Sequence, residues 1–217
     1  CALGPDGWKK REQLVKDRCR NKALEADYRK QVTAMTFQFS QNLQKRKAFI
    51  ANHQRKIEVT NKILSHYQNK KCITFSSTIK MAEKIAYGKV YSGKTSAKQG
   101  RATIEDFLKP GSGVINTVMK LNEGFNCPEA SIAVILGFDS SQTKKEQRLG
   151  RVLRIFEGKE EAIIFTLVIK NTVEEKWYQN SSTGNYITID EEGLDKLLSG
   201  EQYTPKREKE TQMTFRF

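Results

Sequence analysis

The stretch YGKVYSGKTS, residues 87–96, holds the spacing Gly88-x-x-x-x-Gly93-Lys94-Thr95, the full pattern of a phosphate-cradling loop. Such a loop needs a buried strand running into Gly88 and a helix starting at Gly93. Between the glycines its backbone must curl so that N–H groups point inward at phosphate. The flanks argue otherwise. STIKMAEKIAY (77–87) has the pattern of an amphipathic helix with Ser77 or Thr78 as its cap, so no strand enters Gly88. Lys89-Val90-Tyr91-Ser92 alternates like a short strand. The nearest earlier buried strand, CITF (72–75), ends about a dozen residues too soon for a compact strand–loop–helix unit. Asp139, at the end of the apolar run AVILGFD, would be the metal-holding partner of such a loop, which keeps a standalone P-loop NTPase using Lys94, Thr95 and Asp139 as an alternative.

Working outward, the chain after residue 71 alternates short apolar runs with helical patterns. The predicted strands are CITF (72–75), KVYS (89–92), GVINTV (113–118), SIAVILGF (131–138) and AIIFTLVI (162–169). The predicted helices are STIKMAEKIAY, TSAKQGRATIEDFLK (ended by Pro110-Gly111), TKKEQRLGRVLR and TVEEKWYQ. Nearly continuous apolar strands alternating with helices imply a parallel sheet covered on both faces, an α/β fold.

The first 70 residues have a different texture. They carry 16 Lys/Arg against 6 Asp/Glu, a net of +10 out of +13 for the 217-residue chain. From Trp8 to Tyr87 there is no Gly or Pro, so the segment is predicted to be mainly helical. Ile50, Ile57 and Leu64, with Ile63 and Tyr67 alongside, form an apolar stripe too short for a coiled coil and suited to packing on a core. Phe37 and Phe39 in TFQFS alternate with polar residues, which allows a short extended piece there. The excess positive charge suits either a solvated helix face or a surface that neutralises nucleic-acid phosphates.

No apolar run is long enough to span a bilayer, and CALGPDGWKKREQ lacks the apolar core of a signal peptide. Four scattered cysteines without C-x-x-C spacing, distant from both histidines, argue against metal sites and a disulfide framework. An intracellular, DNA-associated protein (cytoplasm, nucleoid or nucleus) that is not secreted is expected.

The strongest motif is QRLGRVLR, residues 147–154. It resembles motif VI of superfamily 2 helicases and translocases, especially the branch containing XPB and the phage helicase UvsW. CITFSSTIKMAEKIA (72–86) is similar to motif IV, and VINTVMKLNEGFNCPEASIAVIL (114–136) is similar to motif V with its following strand. Three blocks in the right order, covering about 72–170, imply the second RecA-like lobe of a two-lobe motor. In that frame KVYSGKT is the lobe's second strand and the turn after it.

The resemblance implies roles. Arg151 and Arg154, three apart on one helix face, would stabilise the charge of a γ-phosphate held by a facing lobe, with Gln147 contacting the nucleotide or positioning them. Glu123, Gly124 and Asn126 would sense ATP, Asn126 standing where many relatives carry Asp. Asn116, Thr117 and Lys94 would contact the nucleic-acid backbone, as would Ser76 and Ser77, for which helix capping is the other reading. The P-loop, metal site and adenine-reading residues of the first lobe have no counterpart here. ATP and Mg are therefore expected mainly on an N-terminal RecA-like lobe, in the same or another chain, and this chain alone is expected to hydrolyse no ATP.

The expected organisation is a basic helical extension (1–70), a RecA-like lobe (71–180) and a polar C-terminal tail (181–217). The expected partner is DNA, with RNA as the alternative, and no membrane. The expected function is the C-terminal motor lobe of an ATP-dependent DNA helicase or translocase; a non-enzymatic nucleic-acid-binding module is a further alternative.

Overall fold

The computed structural model describes residues 13, 22–118, 127, 129–137, 162–181 and 187–201. The chain divides into two compact units, Cys1–Ile50 and Ala51–Phe217.

In the first unit the described residues form one long helix, α1 (Lys22–Ala51). Phe37 and Phe39 lie within it, so no extended piece forms there. A four-residue alternation is outweighed by thirty residues without a helix breaker.

The second unit is built on five parallel strands in the order β2-β3-β1-β4-β5. Helix α2 (Gln54–His66) precedes β1 (Lys71–Ser76), and a single-turn helix α3 (Ile79–Ala82) follows it. Then come β2 (Lys89–Tyr91), α4 (Ala97–Leu108), β3 (Gly113–Val118), β4 (Ala130–Ile135) and β5 (Ile163–Thr166). Two helices end the described chain, α5 (Val173–Ser181) and α6 (Glu191–Ser199). All the expected strands are present, those around β4 and β5 shorter than their apolar runs.

Period-2 alternation sends successive strand residues to opposite faces. Cys72, Ile132, Val134 and Leu136 meet Ile57, Ile63 and Leu64 of α2 and Met81 of α3. On the other face Ile73 and Ile115 pack with Phe107 of α4, while Ala133 and Ile135 pack with Trp177 and Tyr178 of α5. Burial of the Cys72 thiol in this layer pushes its pKa up to about 12.

Two expected boundaries move. The unit containing the sheet begins at Ala51 rather than at residue 71. The apolar stripe of α2 is the reason, since Ile63 and Leu64 are fully buried in the core. Nor is 181–217 wholly a tail. Helix α6 is capped by Asp190, whose carboxylate accepts from Gly193 N at 2.8 Å, and Gly200 closes it at φ +78°. Its Leu194 joins the core, with Ile189 and Leu198 packed alongside.

The expected helix 77–87 is a single turn. Thr78 caps it, accepting from Met81 N at 3.2 Å and donating to Asn52 Oδ1. After Ala82 the chain tightens, with Lys84 N bonding Met81 O and Ile85 N bonding Ala82 O. Ile85 is thereby buried and the chain reaches Gly88 at φ +82°.

Candidate functional site

In an open parallel sheet, ligands bind beyond the carboxyl ends of the strands, where the connections diverge to opposite sides. Here the chain leaves β1 toward β2 and leaves β4 toward β5, so the crevice lies between the ends of β1 and β4. Ser76 ends β1 and Ser77 follows it. Leu136 N donates to Phe75 O at 2.9 Å, which holds the exit of β4 against β1. A Cβ on Gly137 would lie 1.6 Å from Ser77 Oγ, so glycine is required for this approach. Ser76 is 4% exposed, and its Oγ has no hydrogen-bond partner among the described residues.

Beside the crevice lies a buried ion pair that the sequence did not announce. Lys56 Nζ of α2 bonds both carboxylate oxygens of Glu174 at 2.7 Å and donates to Leu136 O at 2.8 Å. Glu174 also accepts from Ile169 N at 3.3 Å. The two side chains are 1% and 2% exposed. Burial lowers the pKa of Lys56, opposed by the charge of Glu174. The pair ties the helix on one face of the sheet to the end of β4 and to the helix on the other face.

Asn116 and Thr117 do not meet their expectation as backbone-contacting residues. Both are fully buried. Thr74 Oγ1 donates to Asn116 Oδ1 at 2.7 Å, Asn116 Nδ2 donates to Tyr87 O at 2.6 Å, and Thr117 Oγ1 donates to Thr74 O at 2.8 Å. Their side-chain polar groups are engaged in hydrogen bonds inside the unit.

The stretch from Gly88 to Thr95 is no phosphate cradle. Lys89–Tyr91 is a strand paired with β3. A Cβ on Gly88 would come within 2.3 Å of Val114 O, so this glycine serves backbone packing. In the following turn Ser92 N donates to Thr95 Oγ1 at 3.0 Å, Thr95 N to Ser92 O at 3.1 Å and Lys94 N to Ser92 Oγ at 3.3 Å. These N–H groups are engaged internally and cannot be aimed at phosphate. Lys94 itself is exposed, on an open groove of about 830 Å³ shared with Lys89, Asp106 and Lys109. Hydrogen bonds from Lys89 and Lys109 hold the Asp106 carboxyl down at about 2.

Glu123, Gly124, Asn126, Asp139, Gln147, Arg151 and Arg154 lie outside the described residues. Among the described residues no group of three or more His, Cys, Asp or Glu is placed to hold a metal ion. No helix among them is long and apolar enough to cross a membrane.

Residues 55–156 match the helicase conserved C-terminal domain. Over 126 residues the chain is 31% identical to DNA 3'-5' translocase XPB2 of Sulfurisphaera tokodaii, covering 57% of this chain and 28% of that protein. The chain thus spans little more than a quarter of this relative's length. Among solved structures, the C-terminal domain of the DEAD-box protein Dbp5 is similar with a TM-score of 0.52 and 19% identity, over 69% of this chain and 93% of that one. The C-terminal part of the Fun30 ATPase domain is similar with a TM-score of 0.51 and 17% identity, over 88% and 72%. Parallel sheet, strand order and family match together identify the segment 55–156 as the C-terminal RecA-like lobe of a superfamily 2 helicase or translocase.

Proposed function

We propose that this lobe works as half of an ATP-driven motor on DNA, opposite an N-terminal RecA-like lobe carried by the same or another chain. What supports the reading is the serine pair at the head of β1. Ser76 keeps a buried hydroxyl without a partner among the described residues, and half-buried Ser77 sits beside it where the strand connections diverge. A phosphate oxygen of a bound strand is a fitting acceptor for such hydroxyls, and exposed Lys94 adds a cation at the end of the neighbouring strand.

ATP and Mg fit none of the described residues, since these offer neither a metal cluster nor a triphosphate cradle. Both are assigned to the facing lobe, and this chain alone is inactive as an ATPase. Arg151 and Arg154 act across the lobe interface, where their guanidinium groups stabilise charge on the transferring phosphoryl group, with Gln147 positioning them. Glu123, Gly124 and Asn126 respond to the nucleotide. Lobe closure and reopening then move the serine grip along one strand, inside the cell.

The test uses the complete two-lobe protein. Arg151→Ala and Arg154→Ala should each lower ATP turnover by about a thousandfold or more while ATP binding changes little. Lys94→Ala should leave turnover largely intact and weaken DNA binding. Loss of nucleotide binding in Lys94→Ala, with near-normal turnover in the arginine variants, would overturn the assignment.

A further inference from the structure

The buried pair of Lys56 and Glu174 is a costly way to fill a core. Two charges give up their hydration, and apolar side chains of similar size would occupy the space about as stably. What the pair provides is direction. An apolar chain packs on whatever surface lies beside it, whereas an ammonium group holds particular oxygens at fixed distances. Lys56 Nζ holds two oxygens of Glu174 at 2.7 Å and Leu136 O at 2.8 Å.

Glu174 is itself fixed. It lies in the first turn of α5, where the helix dipole favours a carboxylate, and its N–H donates to Thr172 Oγ1 at 3.3 Å. That hydroxyl donates to Ile169 O at 2.6 Å, and Ile169 N donates back to the Glu174 carboxylate. Leu136, the third partner, stands between the end of β4 and Gly137. Its N–H is held on Phe75 O and its carbonyl on Lys56, so both backbone polar groups are tied to neighbouring elements. Gly137 follows at once, pressed onto Ser77 so closely that a Cβ would fall 1.6 Å from the Ser77 hydroxyl. Direct contacts therefore run from α2 and α5, through the exit of β4, to the serine pair.

We infer that Lys56, oriented by Glu174, is a positioning residue for nucleic-acid contact. By fixing Leu136 O it sets where Gly137 meets Ser77, and so aims the Ser76 and Ser77 hydroxyls at the phosphate of a bound strand. The inference rests on the reading of the serine pair as the grip of the proposed function. Neither charged group touches the strand, their side chains being 1% and 2% exposed. Removing both loses aim without changing net charge, because one cation and one anion leave together.

The test is fluorescence anisotropy of the full 217-residue chain with oligo(dT), over a salt series without ATP, beside urea unfolding of each variant. Lys56→Met/Glu174→Met should unfold close to the parent's midpoint and keep the slope of log K against log salt. It should nevertheless bind oligo(dT) about tenfold more weakly, as should Ser76→Ala/Ser77→Ala. Combining the four substitutions should add little further loss, since the pair acts through the serines. Gly137→Ala leaves the ion pair intact and drives a methyl group into the place of the Ser77 hydroxyl, so it should weaken binding to a similar degree. Parent-like affinity in the stable double-methionine variant, with weak binding by the serine variant, overturns the positioning role and leaves the grip standing. Losses that add in the combined variant overturn it as well. If the double-methionine variant unfolds, Gly137→Ala decides, and normal binding by it overturns the inference. Parent-like affinity in the serine variant overturns the grip itself, and the inference with it.

Discussion

Replacing Lys56 by Met should be among the most damaging single changes in the sheet-bearing unit, and replacing Glu174 as well should repair it. Lys56 Nζ has three acceptors within 2.8 Å, two on Glu174 and one on Leu136 O. Lys56→Met leaves a carboxylate that is 2% exposed and, among the described residues, accepts from Ile169 N at 3.3 Å. Removing one member of a buried pair costs about 3–5 kcal/mol, because the other charge stays desolvated and uncompensated. A domain of this size is stable by only about 5–15 kcal/mol, so the loss takes roughly a fifth of that or more. Lys56→Met/Glu174→Met replaces both charges by unbranched apolar chains and should return to within about 1 kcal/mol of the parent, or exceed it. Urea unfolding followed by tryptophan emission reads this directly. Trp177 lies one helical turn after Glu174 and packs on Ala133 and Ile135, so it reports on this corner of the core. Trp8→Phe serves as the common background. Single variants that each cost under about 1 kcal/mol, or a double variant as unstable as the two losses added, would refute the clamp.

The other outcomes are simpler. Thr117→Ala should destabilise by about 1–3 kcal/mol, since it removes a buried bond to Thr74 O, and in the two-lobe protein it should lower basal and DNA-stimulated hydrolysis together; a selective loss of stimulation at unchanged melting temperature would restore a ligand-contacting role. Leu194→Ala should cost about 2–5 kcal/mol by urea unfolding, and a negligible effect would detach α6 from the core. The Asp106 carboxyl sits at about 2, below its unfolded value near 4, so its stabilisation is complete above about pH 4 and fades as pH falls through 2. Asp106→Asn should therefore flatten the acid limb of stability, by an amount kept small by full exposure; an unaltered acid limb would show that Lys89 and Lys109 do not hold it.

How much was legible depended on how local the cause is. The strand β3 is GVINTV to the residue, because a short run rich in β-branched residues, bounded by Gly111 and by a polar stretch of sequence, has few other fates. Strand β2 was legible for the same reason that Gly88–Thr95 failed as a phosphate loop, namely alternation between its glycines. Helix α6 carried readable signals that went unused: Asp190 as cap, Glu191 and Glu192 in the first turn, leucines at 194, 197 and 198, and Gly200 as stop. The truncation of α3 was not readable. It follows from where β2 must start and from Asn116 needing Tyr87 O, which are demands made from far along the chain. Lys56 was invisible in a different way. It sits in a run of basic residues, and nothing nearby distinguishes it from its solvated neighbours. Its partner lies 118 residues later.

The Thr74–Asn116–Thr117 bonds bear on misfolding. Strands β1 and β3 both carry apolar residues on each of their two faces, so hydrophobicity alone only weakly penalises sliding one past the other. A slip of one residue would exchange the two faces at almost no cost in apolar burial. Three polar side-chain hydrogen bonds forbid it. In the slipped sheet the Asn116 amide would be buried away from Thr74 and Tyr87 O, at about 1–3 kcal/mol for each orphaned group. The polar residues inside this otherwise oily layer thus act as a proofreading step during folding, raising the energy of near-native decoys that greasy packing would accept.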